Sequence, residues 1–461
     1  MRSRDRSAAR SRSWALCLAS MAACFLLSCA STERERAETP VSAAAARPRN
    51  GALPNTPAGD AMQRWLDDFN GDDRAKIAAA FAKWEPEGSP AMAQGFREGT
   101  GGFDVAQVRA GGPHQLEFIL AERAGPNTVA GYVRVDGKPP FAIDTLILSA
   151  VPKGTSLSDF TLDAISRARV VDGVIANVDS AYVFPDVAHK MSAALRQSLE
   201  HGDYNEITSG VIFANILTRQ LQALCHDHHV SINYSPEVLP EFHRNTSPSE
   251  AEREASRRDL ESKRCGFARE EILAGNIGYL KIDQFAPPDI CAPTAIAAMN
   301  VVANTNALVI DLRDNTGGDF AMAMLLASYL FSEPTHLADW WDRETNETKA
   351  FWTSRDVEGM RFGNEKPVYV LTSNKTFSCA EAFAYGLQMA KRATIIGERT
   401  GGGAHAGRLR RIDDHFSVGV PSVRTINPIS KTNWEGVGVM PDVKVAVADA
   451  LGAALKLAAA R

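Results

Sequence analysis

The chain has 461 residues, 45% of them apolar and 23% charged, a composition that excludes collagen-like, coiled-coil and wholly disordered chains. Lys and Arg number 50 against 55 Asp and Glu, giving a formal net charge of -5. That balance carries neither the basic footprint of a nucleic-acid binder nor an acidic solvating tail. At roughly 150 residues per domain, the length accommodates two or three domains.

Residues 1–29 read as a leader. Arg2, Arg4, Arg6, Arg10 and Arg12 form a positive start, followed by an apolar run from Trp14 to Leu27 that is too short to span a bilayer. The run closes on Leu26-Leu-Ser-Cys29, which resembles the bacterial lipoprotein signal, in which the cysteine becomes the lipidated first residue. Cleavage of an ordinary signal near Ala30 or Ser31 is the alternative. Ala30 in place of Asp after the cysteine implies an outer-membrane lipoprotein, on the periplasmic side of a bacterial cell envelope and bound to the membrane by its lipid alone. Residues 30–57, rich in Ala, Pro and Arg, read as a disordered linker. Beyond the leader Cys225, Cys265, Cys291 and Cys379 remain. An exported compartment permits disulfides, and the sequence leaves the pairing open, with buried free thiols as the alternative. Their spacing matches no metal site.

From 58 to 153 the pattern is that of a small α+β domain. Helix-like stretches at Ala61–Phe69 and Arg74–Trp84 precede four alternating runs, Phe103–Arg109, Gln115–Glu122, Thr128–Val135 and Phe141–Ala150. The expectation is a curved antiparallel sheet with helices on one face, loosely resembling cystatin- or NTF2-like modules, with an accessory role. Residues 160–236 form a helical module: Ala164–Ser180, Asp186–Leu199 and Ile212–Leu224, then a strand at Val230–Tyr234. Residues 237–265 are a charged, solvated connector, expected to be partly helical.

From 266 to 461 strands and helices alternate. Ile277–Ile282, Ala307–Leu312, Pro367–Thr372 and Ala393–Gly397 read as strands, and Ala292–Ala303, Phe320–Leu330 and Glu381–Met389 as helices. This predicts a mostly parallel sheet, whose sites form where strands end and helices begin. Three such loops carry chemistry. Asp311-Leu-Arg-Asp-Asn-Thr-Gly-Gly318 runs from a strand into a Gly-Gly turn that lets backbone approach a ligand. Leu371-Thr-Ser-Asn-Lys-Thr-Phe-Ser-Cys-Ala-Glu381 places Ser378 at the mouth of a helix, where a nucleophile or a plain helix cap could stand. Gly397-Glu-Arg-Thr-Gly-Gly-Gly-Ala-His405 is Gly-rich without being a phosphate-binding loop.

Taken together, these motifs resemble the S41 serine peptidases, the tail-specific and tricorn-type proteases, and most closely the bacterial branch related to interphotoreceptor retinoid-binding protein. The resemblance rests on Gly278-Tyr-Leu280, the two loops Asp311–Gly318 and Thr376–Glu381, Arg392–Glu398, Asn433-Trp-Glu-Gly-Val-Gly438 and Pro441-Asp442. Upstream it continues through Tyr182-Val-Phe-Pro185 and Asp227-His-His229, so that it covers about 160–461. It implies a ClpP/crotonase-like α/β catalytic core behind the helical module, with Ser378 as nucleophile. The oxyanion hole then falls on Gly317 or Gly318 with the Cys379 amide. The branches differ in their base. No lysine occupies the loop Thr400–His405, which puts a Ser–Lys dyad in doubt. The tricorn-type pattern instead matches His229 as base and Glu435 as its orienting carboxylate, with His405 the competing base or a substrate contact. A triad of this kind is defined in space and not by chain order. The implied function is an exported serine endopeptidase acting on peptides or proteins through an acyl-enzyme, with no metal or other cofactor needed. An apolar-ligand (retinoid- or fatty-acid-like) binding protein, or an inactive peptidase on the same fold, is the alternative. No peptide-binding insertion of the tail-specific kind is visible between 237 and 265.

Overall fold

The computed structural model describes residues 52–85, 90–159, 161–239 and 250–460. The leader with Cys29, the linker up to residue 51 and residues 240–249 of the connector lie outside the described residues.

The first module opens with α1 (Pro57–Asn70), α2 (Arg74–Trp84) and α3 (Pro90–Thr100). Thr56 caps α1 by accepting the Gly59 N–H, and Pro57 occupies the first helical turn, where its missing N–H costs nothing. A four-stranded antiparallel meander follows: β1 (Phe103–Ala110), β2 (Gln115–Glu122), β3 (Thr128–Val135) and β4 (Ile143–Val151). One face packs Phe118 and Leu146 against Met62, Trp65 and Phe69. The other face sends Tyr132 and Ile147 into the core of the next module. Helices therefore cover both faces, where cover on one face was expected.

The helical module comprises α4 (Ala164–Ala181), α5 (Pro185–His201), α6 (Gly210–Cys225) and the strand β5 (Ser231–Tyr234). Its seam with the first module holds Glu117, which is buried. Glu117 accepts from the Thr208 amide at 3.0 Å, the Thr208 hydroxyl at 2.6 Å and the Ser209 amide at 2.9 Å, beside Arg109 at 3.3 Å. At its other end α6 stops because His226 turns left-handed at φ 54°, which releases Asp227-His228-His229 as a turn.

The connector contains α7 (Glu250–Ser262), and β6 (Phe267–Leu273) leads into the core. The core continues with β7 (Ile277–Ile282), α8 (Pro288–Val302), β8 (Ala307–Asp311), α9 (Phe320–Ser328), β9 (His336–Asp342), β10 (Glu347–Trp352), β11 (Val368–Thr372), α10 (Cys379–Met389), β12 (Thr394–Gly397), β13 (His405–Arg411), β14 (Phe416–Ile426), β15 (Val443–Lys444) and α11 (Ala450–Ala459). Six strands in the order β15-β12-β11-β8-β7-β6 form the central sheet, parallel except for β6. Residues of α8, α9 and α10 cover one face and α11 the other. Both faces of β8 and β11 are buried, which explains their continuous apolar sequences. A disulfide joins Cys265 to Cys291, while Cys225 and Cys379 are free.

A second, antiparallel sheet was not anticipated. Its order is β10-β9-β14-β13, with β5 pairing β14. Pro421 in the middle of β14 argues against a strand, since proline cannot donate to a ladder. The structure accommodates it at a β-bulge opposite Gly407, and its carbonyl accepts the Val183 N–H at 2.9 Å. Phe416, Val418 and Val420 of β14 join the core of the helical module, so this sheet fuses that module to the core. Among the described residues, no helix is long and apolar enough to cross a membrane.

Candidate active site

The parallel strands β8, β11 and β12 end in register, Asp311 beside Leu371 and Thr372 beside Gly397. Their three following loops therefore meet at one edge of the sheet, as the sequence led us to expect. Hydrogen bonds lock the loops together. Thr376 Oγ1 donates to the Leu312 carbonyl at 2.8 Å and accepts the Ser373 N–H at 3.0 Å. The Phe377 N–H donates to the Asn315 carbonyl at 3.1 Å. Asn315, fully buried, donates through Nδ2 to the Ile282 carbonyl at 3.0 Å.

Ser378 stands at the strand-to-helix turn with φ 54° and ψ -121°. This conformation costs a non-Gly residue about 1–3 kcal/mol, and such strain persists only where the surroundings impose it. The restraint is Glu381, a fully buried carboxylate that sequence reasoning quoted without assigning a role. It accepts the Ser378 N–H at 2.8 Å, the Gly402 N–H at 2.7 Å, the Gly403 N–H at 2.8 Å and the Thr400 hydroxyl. Thr400 Oγ1 in turn accepts the Val439 N–H at 2.6 Å, so its own proton must go to Glu381. Burial raises the Glu381 pKa above the ordinary carboxylate value, and these donors pull the other way. Glu381 thus ties the Ser378 turn to the Gly-rich loop. The Gly-rich loop is tied in turn to residues 434–439, through Trp434 Nε1 to the Gly403 carbonyl and the Gly436 N–H to the Gly402 carbonyl, both 2.8 Å.

Gly317 and Gly318 both have left-handed backbone, φ 111° and 126°. A Cβ on Gly317 would lie 2.9 Å from Ser378 Cβ, so glycine is what allows this backbone to approach the serine. The Gly317 N–H, however, donates to Asn315 Oδ1 at 2.8 Å and is not available to a substrate oxygen. Of the three positions named from sequence, the amides of Gly318 and Cys379 remain, the Gly318 N–H lying beside the Cys379 sulfur. The Cys379 amide lies in the first turn of α10 and has no intrahelical partner. The Cys379 thiol is a neutral filler, pushed up to about 12 by burial.

His229 packs its ring on Phe377, the residue before Ser378, with centroids 4.7 Å apart. A Cβ on Gly403 would lie 2.6 Å from His229 Cε1, so the glycine loop leaves room for this ring. Neither His229 ring nitrogen has a hydrogen-bond partner, so Nε2 is not bonded to Ser378 in this structure. Unliganded sites commonly show such loose geometry. The carboxylate beside His229 is Asp227, with Oδ1 3.5 Å from Nδ1. Glu435 lies elsewhere in the same cluster, against His405 Nδ1 at 3.4 Å and the Ala404 N–H. The contact between His229 and Glu435 implied by the family resemblance is thus not made. Asp227 lies beside His229 instead, and Glu435 meets the loop that carries His405. His405 is buried, with Nδ1 3.0 Å from Asp227 Oδ2 and its ring edge-on to Phe184. His228 is exposed.

Burial would raise the Asp227 pKa, but the close approach of the His229 and His405 rings outweighs it and holds Asp227 below the usual carboxylate range. Burial and the nearby Asp227 push Glu435 up to about 9. Asp227, Glu435 and His405 also present oxygen and nitrogen atoms within 4.8 Å of one another. The approach of His405 Nδ1 to Asp227 at 3.0 Å and to Glu435 at 3.4 Å accounts for that proximity.

Residues 276–445 match the model of peptidase family S41. Residues 165–261 match the N-terminal domain of S41 peptidases in eukaryotic interphotoreceptor retinoid-binding protein. Residues 276–445 thus carry a domain of peptidase family S41, a family of serine-type peptidases. It is similar to carboxyl-terminal-processing peptidase 2 of Arabidopsis thaliana chloroplasts, 27% identical over 40% of this chain and 34% of the relative. It is also similar to a carboxy-terminal-processing protease of Bartonella bacilliformis, 28% identical over 38% of this chain and 39% of the relative. The matches thus span about two-fifths or less of those relatives' length. Among solved structures, the photosystem II D1 C-terminal processing protease aligns with a TM-score of 0.38 at 16% identity, covering 61% of this chain and 93% of that one.

Proposed function

We propose that this chain is an exported serine endopeptidase that cleaves peptide or protein substrates through an acyl-enzyme on Ser378. The observation that carries the reading is the strained Ser378 turn, held by Glu381 at the edge of the parallel sheet with His229 packed beside it. In this mechanism Ser378 Oγ attacks the scissile carbonyl and His229 Nε2 takes its proton. Negative charge developing on the carbonyl oxygen faces the amides of Gly318 and Cys379. His229 then passes the proton to the leaving amine, the C–N bond breaks, and water releases the acyl group by the reverse steps. The Ser378–His229–Glu435 triad is the family-derived form of this reading, with Glu435 joining the cluster through His405.

Export and lipidation at Cys29 belong to the same proposal. They are supported by the leader sequence and by the Cys265–Cys291 disulfide, a bond suited to an oxidising compartment. A fluorophosphonate probe should label the purified protein at Ser378, located by peptide mapping. A folded wild-type protein that resists the probe but binds an apolar ligand would replace peptidase activity with the binding reading. Mass spectrometry of the native N-terminus should find lipid on Cys29, and an unmodified start at Ala30 or beyond would remove the anchor.

A further inference from the structure

We propose that Asp227, held in place by His405 and Tyr182, is the carboxylate that orients His229, and that Glu435 acts on His405 and not on the base. The inference rests on the peptidase reading above and assigns roles within that site. Asp227 is buried, and its two oxygens face different partners. Oδ1 accepts the His229 backbone N–H at 3.0 Å and faces His229 Nδ1 at 3.5 Å. The first of these bonds closes a short Asx-type turn, which fixes the carboxylate relative to the base by the chain itself. Oδ2 takes His405 Nδ1 at 3.0 Å and the Tyr182 hydroxyl at 3.4 Å. Rotation of the Asp227 carboxylate would therefore break contacts at both oxygens.

The arrangement favours one tautomer of the base, although the 3.5 Å approach of Nδ1 to Asp227 is not itself a hydrogen bond. With its proton on Nδ1, His229 turns an N–H toward the Asp227 carboxylate and leaves the Nε2 lone pair free for the serine proton. The opposite tautomer would set an imidazole lone pair against a carboxylate. When His229 becomes cationic during the reaction, Asp227 is the anion beside it. His405 has one Nδ1 proton for two carboxylates and lies nearer Asp227 than Glu435, 3.0 against 3.4 Å. The high proton affinity of Glu435 fits this division, because two buried anions side by side are costly and one of them is neutralised. The titratable groups around Asp227 are His229, His405, Glu435, Tyr182 and Cys225, whose sulfur accepts the Asp227 N–H at 3.4 Å. The motif Tyr182-Val-Phe-Pro185 also acquires a purpose, since Tyr182 touches Asp227 and Phe184 packs on His405.

The test compares three isosteric or near-isosteric variants by the pH profile of kcat/KM on a peptide substrate. Asp227→Asn should lower kcat by about 10⁴-fold, the loss seen when an orienting carboxylate is neutralised. It should also move the acid limb of the profile to lower pH, because the anion beside the base is gone. Glu435→Gln should lower kcat less than about tenfold and leave the acid limb in place. His405→Gln should fall between the two. Labelling by a fluorophosphonate that still requires His229, together with full indifference to Asp227→Asn, would overturn this inference while sparing the peptidase reading. Should Asp227→Asn fail to fold, Glu435→Gln decides alone: a loss as large as that of His229→Ala returns the orienting role to Glu435. Failure of wild-type labelling would instead remove the reading on which the inference stands.

Discussion

Helix α6 has a buried carboxylate at each end, and the two differ in kind. Glu117 meets its N-terminal end and Asp227 follows its C-terminal end, about 24 Å apart for 16 residues at 1.5 Å rise. The N-terminal end of a helix carries partial positive charge and unpaired amides. Glu117 is satisfied there by the amides of Thr208 and Ser209, the Thr208 hydroxyl and Arg109, none of which changes protonation near neutral pH. At the C-terminal end the helix disfavours an anion. Asp227 depends there on two histidine rings, one hydrogen-bonded to it and one beside it. The first carboxylate is a joint between modules, and the second is the one to which we assign the orientation of His229. Glu381 lies between the two cases, since its donors are fixed but what they restrain is the turn at Ser378.

This contrast can be broken most sharply at Ser378. Ser378→Ala should abolish hydrolysis, a loss on the order of 10⁶-fold in the best-studied serine protease, with an unchanged melting temperature. Ser378→Gly should be equally inactive yet more stable by about 1–2 kcal/mol, because glycine tolerates φ 54°. A glycine variant less stable than wild type in thermal unfolding would mean that the turn stores no strain.

Glu381→Ala should damage both properties. Four donors lose their acceptor, at about 3–5 kcal/mol, and a shift of the turn by an ångström can cost about 10²-fold in rate. Full activity in a folded Glu381→Ala protein would show that the nucleophile turn holds itself.

Glu117→Ala should separate stability from activity. Unfolding should lose about 2–4 kcal/mol, while kcat/KM at permissive temperature stays within about threefold, since the site is distant. A large fall in kcat without a change in melting temperature would make this joint part of the catalytic apparatus.

The smallest expected effect is on pH dependence. Folding raises the Glu435 pKa, so the stability it contributes is present while it is protonated and drains away as pH climbs toward about 9. Folding lowers the Asp227 pKa, so its contribution is present above the ordinary carboxylate range and is lost as pH falls through the lowered value. Glu435→Gln should therefore flatten the alkaline decline in melting temperature between about pH 5 and pH 8.5 and leave the acid limb alone. A decline as steep as in wild type would assign the alkaline loss to another group.

The strands β1–β4 and the parallel strands β7, β8, β11 and β12 were legible in the chain, because alternation and doubly buried apolar runs are local consequences of where water is excluded. Ser378 was legible for the same reason, as a polar residue where a buried strand feeds a helix. Helix α3 was not, and neither was the sheet built from β9, β10, β13 and β14. Pro421 and the glycines break its pattern, and the bulge that tolerates them exists only once β13 lies alongside. Nor could the roles of Glu381, Asp227 and Glu435 be read from their neighbours. The sequence by itself determined which residues can attack, accept a proton or carry charge. Which carboxylate faces which histidine was decided by tertiary structure, because it depends on burial and on contacts such as that of Asp227 with His405 across 178 positions, and those exist only after the helical module and the core have closed on each other.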